Sequence, residues 1–395
     1  MVCLLRITAV TMFAAVLFSV VPISAKAEQL PQSWGENAEI TTSARSAVLI
    51  EGESGRILYE KNAFEMLPMA STTKIMTALL TLRQRDLDAY FTVDSQAIRV
   101  EGTSMGLVEG DQVSLRGLVC GMLLLSGNDA ANAAAVRIAG SIPAFAEQMN
   151  EMAKAIGMNF TSFANPSGLT AEGHYSTAYD MALLGREALT DPTFLSVCSA
   201  QSISVEYGNP PYLRRLSGHN RLLREYEGCI GIKTGYTKAA GRCLVSAAVR
   251  NGIQLIAVTL NAPNDWEDHT KMLDYGFSVL TAQNVAEGLQ ATVPVANGQK
   301  EQCAVLPAEE GIAALMEGER ETLACTLCLQ PMVYAPIRKG DVVGEAVYSL
   351  EGMPILTLPL VAGESVEMLT PERTEEDSGN FFFWIWEKIK GLFGR

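Results

Sequence analysis

Three short stretches carry side chains able to do nucleophilic chemistry together: Ser71-Thr72-Thr73-Lys74, Ser126-Gly127-Asn128 and Lys233-Thr234-Gly235. A serine hydroxyl attacks a carbonyl only when a base takes its proton. Ser71 and Lys74 are three positions apart, so at the start of a helix they share one face. Lysine acts as that base only as the neutral amine, which requires desolvation or a second cation nearby. Ile75 and Met76 offer the apolar surroundings and Lys233 the cation. A helix N-terminus also favours negative charge developing on Ser71. Ser126 can relay a proton between the lysines and a leaving amine, and Asn128 can hold a substrate amide. Taken alone, Ser126-Gly127-Asn128 also reads as a helix-capping turn. Lys233-Thr234-Gly235 ends a strand whose exposed edge could take an extended peptide as an added strand. Thr234 and Lys233 would then meet a carboxylate, and Gly235 would let the two backbones approach closely.

The surrounding patterns say what positions these groups. Ser46 to Ile50 and Arg56 to Glu60 read as strands joined by Glu51-Gly52-Glu53-Ser54-Gly55. Thr72 to Leu82 has Ile75, Met76, Leu79 and Leu82 at helical spacing. Residues 114 to 157 and Thr177 to Leu189 read as helical. Strand character returns at Cys229 to Lys233, and Arg250-Asn251-Gly252 separates Arg242 to Val249 from Ile253 to Leu260 as a hairpin. Strands at both ends with helices between predict an α+β fold: an antiparallel sheet flanked by helices, with a helical subdomain. From Ala282 short Val-, Leu- and Pro-rich runs alternate with Gly turns, which predicts a small all-β domain over residues 282–370. The catalytic domain is then expected over residues 28–281, with an acidic linker at 371–380.

Both termini carry their own signals. Arg6, the apolar residues 7 to 21 and Ala25-Lys26-Ala27 form an export signal cleaved after residue 27, since the apolar run is shorter than the roughly 20 residues that span a bilayer. Cys3 precedes that run and is not a lipid-attachment cysteine. In the tail, residues 381–395, Phe382, Ile385, Trp386, Ile389 and Phe393 share a helical face and Glu387, Lys388 and Lys390 lie off it. An aromatic helix too short to span suits the surface of a membrane, although docking on the protein itself or on a partner gives the same pattern.

Composition excludes other classes. The chain of 395 residues is 48% hydrophobic and 19% charged, which describes a folded protein long enough for two domains. Its net charge of −14 and lack of a basic run exclude a nucleic-acid partner. Eight scattered cysteines do not form a disulfide framework. Cys325 and Cys328 make a C-x-x-C without a second Cys or His pair to complete a metal site, so no metal or cofactor is expected. Cys120, Cys198, Cys229 and Cys243 are expected to pack as small apolar residues.

The order of the three motifs, S-x-x-K on a helix, S-x-N in a helical region and K-T-G on a late strand, is that of penicillin-binding proteins and serine β-lactamases. The flanking text is more specific. Pro68-Met69-Ala70-Ser71-Thr72-Thr73-Lys74-Ile75-Met76, Leu125-Ser126-Gly127-Asn128-Asp129-Ala130-Ala131, Phe163-Ala164-Asn165-Pro166-Ser167-Gly168-Leu169, His174-Tyr175-Ser176-Thr177-Ala178-Tyr179-Asp180 and Gly231-Ile232-Lys233-Thr234-Gly235-Tyr236-Thr237 resemble the low-molecular-weight D-alanyl-D-alanine carboxypeptidases. The resemblance runs from about Ala44 to Val366 and takes in the β domain. It implies the β-lactamase/transpeptidase-like fold. It also implies an acyl-enzyme on Ser71, Lys74 as general base, and the N–H groups of Ser71 and Tyr236 as oxyanion hole. The substrates implied are peptidoglycan stem peptides ending in D-Ala-D-Ala, with β-lactams as inhibitors and the outer face of the cytoplasmic membrane as location.

One departure stands out. Some family members place an arginine some 35 residues beyond the K-T-G lysine to hold the terminal carboxylate. Here that neighbourhood reads Asn261-Ala262-Pro263-Asn264-Asp265-Trp266-Glu267-Asp268-His269, so the partner beyond Thr234 and Lys233 is unassigned. His174 and His269 read as structural. Two rival readings share the motifs: a β-lactamase using Glu172 for deacylation, and a non-catalytic wall-binding protein.

Overall fold

The computed structural model describes residues 40–370, 384–386 and 388–390. The export signal, its cleavage site, the acidic linker and Phe382 and Phe393 of the tail lie outside the described residues.

The chain enters through β1 (Ser46–Glu51) and β2 (Ile57–Lys61), then a 3-10 turn (Ala70–Thr73) that runs into α1 (Lys74–Leu82). After the short strands β3 (Phe91–Thr92) and β4 (Gln112–Val113) come α2 (Leu115–Leu124), α3 (Asn128–Ala139), α4 (Ile142–Ala155), α5 (Ala178–Leu189) and α6 (Pro192–Cys198). A hairpin of β5 (Ser202–Gly208) and β6 (Pro211–Ser217), then α7 (Leu222–Glu225), leads to β7 (Cys229–Thr237), β8 (Gly241–Arg250), β9 (Ile253–Leu260) and α8 (Asp265–Val279). The main sheet has the order β2-β1-β9-β8-β7 and is antiparallel throughout. It is thus assembled from both ends of this region, as expected, and β7 lies on its edge.

Local chemistry explains the elements. Asn251 and Gly252 join β8 to β9 with φ of 50° and 80°, the left-handed pair a two-residue hairpin demands. Ser114 caps α2 by accepting from the Gly117 N–H at 3.1 Å, and Thr177 caps α5 by accepting from Asp180 N–H at 3.0 Å. The sheet alternates side chains between two cores. Val48, Ile50, Val245, Ala247, Ile256 and Val258 face the helical side with α1 and α5, while Leu49, Leu244, Ala248 and Leu255 face Met272 and Leu273 of α8. The α1 pattern reads as one apolar face, yet all nine of its residues are buried, including Lys74, Thr77 and Thr81. The threonines satisfy themselves on carbonyls: Thr77 Oγ1 donates to Pro166 O and Thr81 Oγ1 to Thr77 O, both at 2.7 Å.

The C-terminal region forms the all-β domain, interrupted only by one helical turn. Its elements are β10 (Thr281–Asn284), β11 (Ala291–Ala296), β12 (Gln302–Pro307), β13 (Ile312–Leu315), α9 (Glu319–Thr322), β14 (Ala324–Leu329), β15 (Val333–Tyr334), β16 (Val342–Leu350) and β17 (Met353–Ala362). Six of these strands form a sheet in the order β14-β16-β17-β12-β11-β15 over a core that includes Val293, Val305, Ala346 and Leu360. Cys120, Cys198, Cys243 and Cys303 are buried and Cys229 is half-buried, while Cys325 and Cys328 are exposed on β14; every described cysteine is a free thiol.

Candidate active site

Ser71 stands in the 3-10 turn ahead of α1, not in the α-helix itself. Ala70 before it has φ +50°, and Thr72 Oγ1 and Thr73 Oγ1 donate back to Met69 O and Ala70 O at 2.6 and 2.8 Å. The turn is packed so tightly that a Cβ on Gly168 would collide with the Ala70 carbonyl. One on Gly235 would lie 3.0 Å from Ser71 N and 3.1 Å from Thr72 N, so the K-T-G glycine brings β7 against the Ser71 turn. His174 supports the same turn. Burial pushes its pKa down to about 4, so it is neutral. Its Nδ1 accepts from Ala164 N–H at 3.0 Å, which leaves the proton on Nε2 to donate to Thr73 Oγ1 at 3.0 Å.

Lys74 is fully buried, and its Nζ lies 3.1 Å from Ser71 Oγ, 2.7 Å from Asn128 Oδ1 and 2.5 Å from Ser167 O. Desolvation, and then the positive charge of Lys233, hold its pKa well below the ordinary lysine value, against a smaller raising effect of Asp129. A neutral amine has two hydrogens and one lone pair. The Asn128 and Ser167 carbonyls can only accept, so they take the hydrogens and leave the lone pair for the Ser71 hydroxyl. Surroundings that favour the neutral amine are thus met by a hydrogen-bond pattern that aims it.

Ser126 sits between α2 and α3 with φ +58°. Its Oγ accepts from Lys233 Nζ at 3.1 Å, and Lys233 also donates to Thr234 O at 2.7 Å. Burial pushes Lys233 down to about 7. Asn128 differs from the expectation that its amide is open to substrate: Oδ1 is taken by Lys74, and Nδ2 donates to Glu101 O at 2.7 Å. The strand of the K-T-G motif continues past Gly235 to Thr237. The three motifs converge on a cleft of about 400 Å³, lined among others by Ser71, Ser126, Asn128, Thr234, Gly235 and Tyr236. Lys74 and Lys233 lie beneath it, 0% and 2% exposed. Glu172, the candidate for β-lactamase-type deacylation, is exposed on the surface and does not line the cleft. His269 is remote from this chemistry; it joins Ser246 and Thr259 of the sheet to α8.

Sequence reasoning gave no role to five residues at the site. Ser167 acts through its backbone carbonyl, which no side-chain pattern signals. Asp129, quoted only as flanking text, gathers the 104–107 loop by accepting from Ser104 Oγ and the N–H groups of Met105, Gly106 and Leu107 at 2.6 to 3.0 Å. Arg242, Asp265 and Trp266 line the cleft beside Tyr236. Among the described residues no cluster of His, Cys, Asp or Glu could hold a metal ion.

Comparison with known proteins agrees with this geometry. Residues 32–264 match the D-alanyl-D-alanine carboxypeptidase family, and residues 277–368 match the C-terminal domain of penicillin-binding protein 5. The chain is 35% identical to D-alanyl-D-alanine carboxypeptidase DacF of Bacillus subtilis, over 85% of this chain and 89% of that one. It is 31% identical to DacC of Escherichia coli, over 96% and 94%. Penicillin-binding protein 5 of Haemophilus influenzae superposes with a TM-score of 0.64 at 28% identity, over 83% of this chain and 98% of that one.

Proposed function

Because the chain belongs to the D-alanyl-D-alanine carboxypeptidase family, we propose that it performs the family's hydrolysis through an acyl-enzyme on Ser71. Ser71 Oγ attacks the carbonyl between the two terminal D-alanines while its proton passes to Lys74 Nζ. The tetrahedral oxyanion is held by the N–H groups of Ser71 and Tyr236, donors that act where charge develops. Ser126 hands its proton to the departing amine as the C–N bond breaks and takes back, beside Lys233, the proton that Lys74 received from Ser71, so D-alanine leaves and Lys74 is neutral again. Lys74 then takes a proton from the water that attacks the ester and passes it to Ser71 Oγ as the ester C–O bond breaks, which releases the acid and restores the Ser71 hydroxyl. Asn128 keeps the Lys74 lone pair aimed, and Thr234 meets the substrate beside the Gly235 backbone. The observation that carries this reading is the 3.1 Å approach of a buried Lys74 to Ser71 with its other contacts on carbonyl acceptors.

The substrates are peptidoglycan stem pentapeptides, and β-lactams acylate Ser71 because their strained amide mimics the same dipeptide. Wild-type protein is expected to release D-alanine from a pentapeptide ending in D-Ala-D-Ala and to turn over nitrocefin only slowly. Ser71→Ala should abolish both release and labelling by a fluorescent penicillin; labelling that persists removes Ser71 from this role.

The division at 28–281, 282–370, 371–380 and 381–395 is proposed as catalytic domain, β domain, linker and anchor, following the export signal 1–27. The enzyme then works on the outer face of the cytoplasmic membrane. Among the described residues no helix is long and apolar enough to cross a membrane. The tail supports surface attachment instead: residues 384–386 and 388–390 are helical, Trp384, Trp386 and Ile389 are exposed, and Lys388 and Lys390 lie over the two indole rings. Deleting residues 381–395 should move the protein from membrane to soluble fraction, and unchanged fractionation would refute the anchor.

A further inference from the structure

A substrate ending in D-alanine brings a carboxylate into the cleft, and the arginine expected near residue 268 to receive it is missing. Lys233 is a poor substitute, because its amine is buried and already donates to Ser126 Oγ and Thr234 O. A different arginine reaches the same cleft from the neighbouring strand. Arg242 on β8 pairs directly with Tyr236 on β7, and both line the cleft with Ser71 and Thr234.

The guanidinium is held in place from behind. Its Nε and Nη2 both donate to Asp265 Oδ1, at 2.9 and 2.6 Å, and its centre lies 5.6 Å from the Trp266 ring. The Arg242 side chain is 42% exposed, whereas that of Asp265 is 3% exposed. Burial raises the Asp265 carboxyl above the usual carboxylate range despite that partner. A half-exposed ion pair adds little stability to set against such desolvation. Orientation of the guanidinium accounts for the arrangement better than stability does. Of the five N–H donors of a guanidinium, Asp265 occupies two, which leaves three in a fork suited to a second carboxylate.

We propose that Arg242, oriented by Asp265 and Trp266, binds the terminal carboxylate of the substrate and so makes the enzyme selective for a free C-terminus. This rests on the cleft being the D-alanyl-D-alanine site. The test uses two matched acyl thioesters, one ending in thioglycolate and the other in its methyl ester, both reactive enough to measure. Arg242→Gln should lower kcat/KM for the free acid by about 10- to 100-fold and for the ester by less than about threefold, collapsing the preference between them. Arg242→Lys should restore part of it, and Asp265→Asn should weaken it with the arginine still present. Should Arg242→Gln not fold, as judged by thermal melting, Arg242→Lys carries the same comparison through an expected loss of about tenfold in preference. Equal losses on both thioesters, or an unchanged preference, overturn the proposal. Release of D-alanine by the wild-type protein separates the two readings: with release intact and the preference unmoved, Arg242 fails and the proposed function stands. No wild-type release removes the function and the inference with it.

Discussion

At the scale of single residues, the proposed chemistry turns on two buried lysines whose charged forms burial disfavours. Lys74 is driven toward neutrality by desolvation first and by Lys233 second, while Lys233 is itself held to about 7 by burial. A base whose pKa is lowered stays competent further into acid, so kcat/KM should fall only as pH drops through that lowered value. Replacing Lys233 by Met removes the cation, and the acidic limb of whatever activity remains should shift to higher pH. Charge alone is not what position 74 supplies. A guanidinium there cannot give up its proton, so Lys74→Arg should cut the acylation rate by about 10²- to 10⁴-fold, the range general-base catalysis contributes. Stopped-flow labelling by a fluorescent penicillin measures this, with circular dichroism to establish folding. Acylation within a fewfold of wild type would show that the amine is not the base.

At the scale of elements, what was legible in the sequence was what local chemistry decides. The Asn251-Gly252 turn, the helical stretch from Thr177 to Leu189 and the apolar run after Ser71 each announce their element from neighbours a few residues away. The hairpin of β5 and β6 and helix α8 were not foreseen, for a physical reason. Helix α8 begins Asp265-Trp266-Glu267-Asp268 and contains Gly276, a weak helix former. Gly276 is there because a Cβ would come within 2.6 Å of Leu255 and 2.9 Å of Leu49, so the helix lies close on the sheet, and only the assembled fold shows that need. The site divides in the same way. Ser71, Lys74, Ser126, Asn128, Lys233 and Thr234 carry reactive side chains in recognisable order. The acceptors that aim them, Ser167 O and Glu101 O, belong to the backbone and leave no trace in residue type. Arg242 was written in the chain throughout, but its relation to Tyr236 exists only once β7 and β8 are paired in register.

At the scale of the whole molecule, one buried ion pair links the edge of the catalytic sheet to the C-terminal β domain. Arg56, just before β2 and 1% exposed, donates through Nη1 to Glu319 Oε1 at 2.6 Å and through Nη2 to Ala314 O at 3.1 Å. Glu319 Oε2 in turn accepts from Met316 N–H at 2.6 Å, so the carboxylate is fixed by its own domain before it meets the arginine. Burying two charges is costly, and such a pair often adds little over apolar residues of the same size; removing one partner is the expensive change. Glu319→Ala should therefore destabilise the protein by about 3 kcal/mol. The double replacement Arg56→Met with Glu319→Leu should recover most of that loss. Urea denaturation followed by tryptophan fluorescence reads both effects, and thioester turnover of the folded variants should stay within about twofold of wild type because neither residue reaches the cleft. If Glu319→Ala matches wild type in its midpoint, the pair adds no stability and the β domain is held by its other contacts. If the double replacement is as unstable as the single one, the pair is needed for its hydrogen bonds and not merely to silence a buried charge.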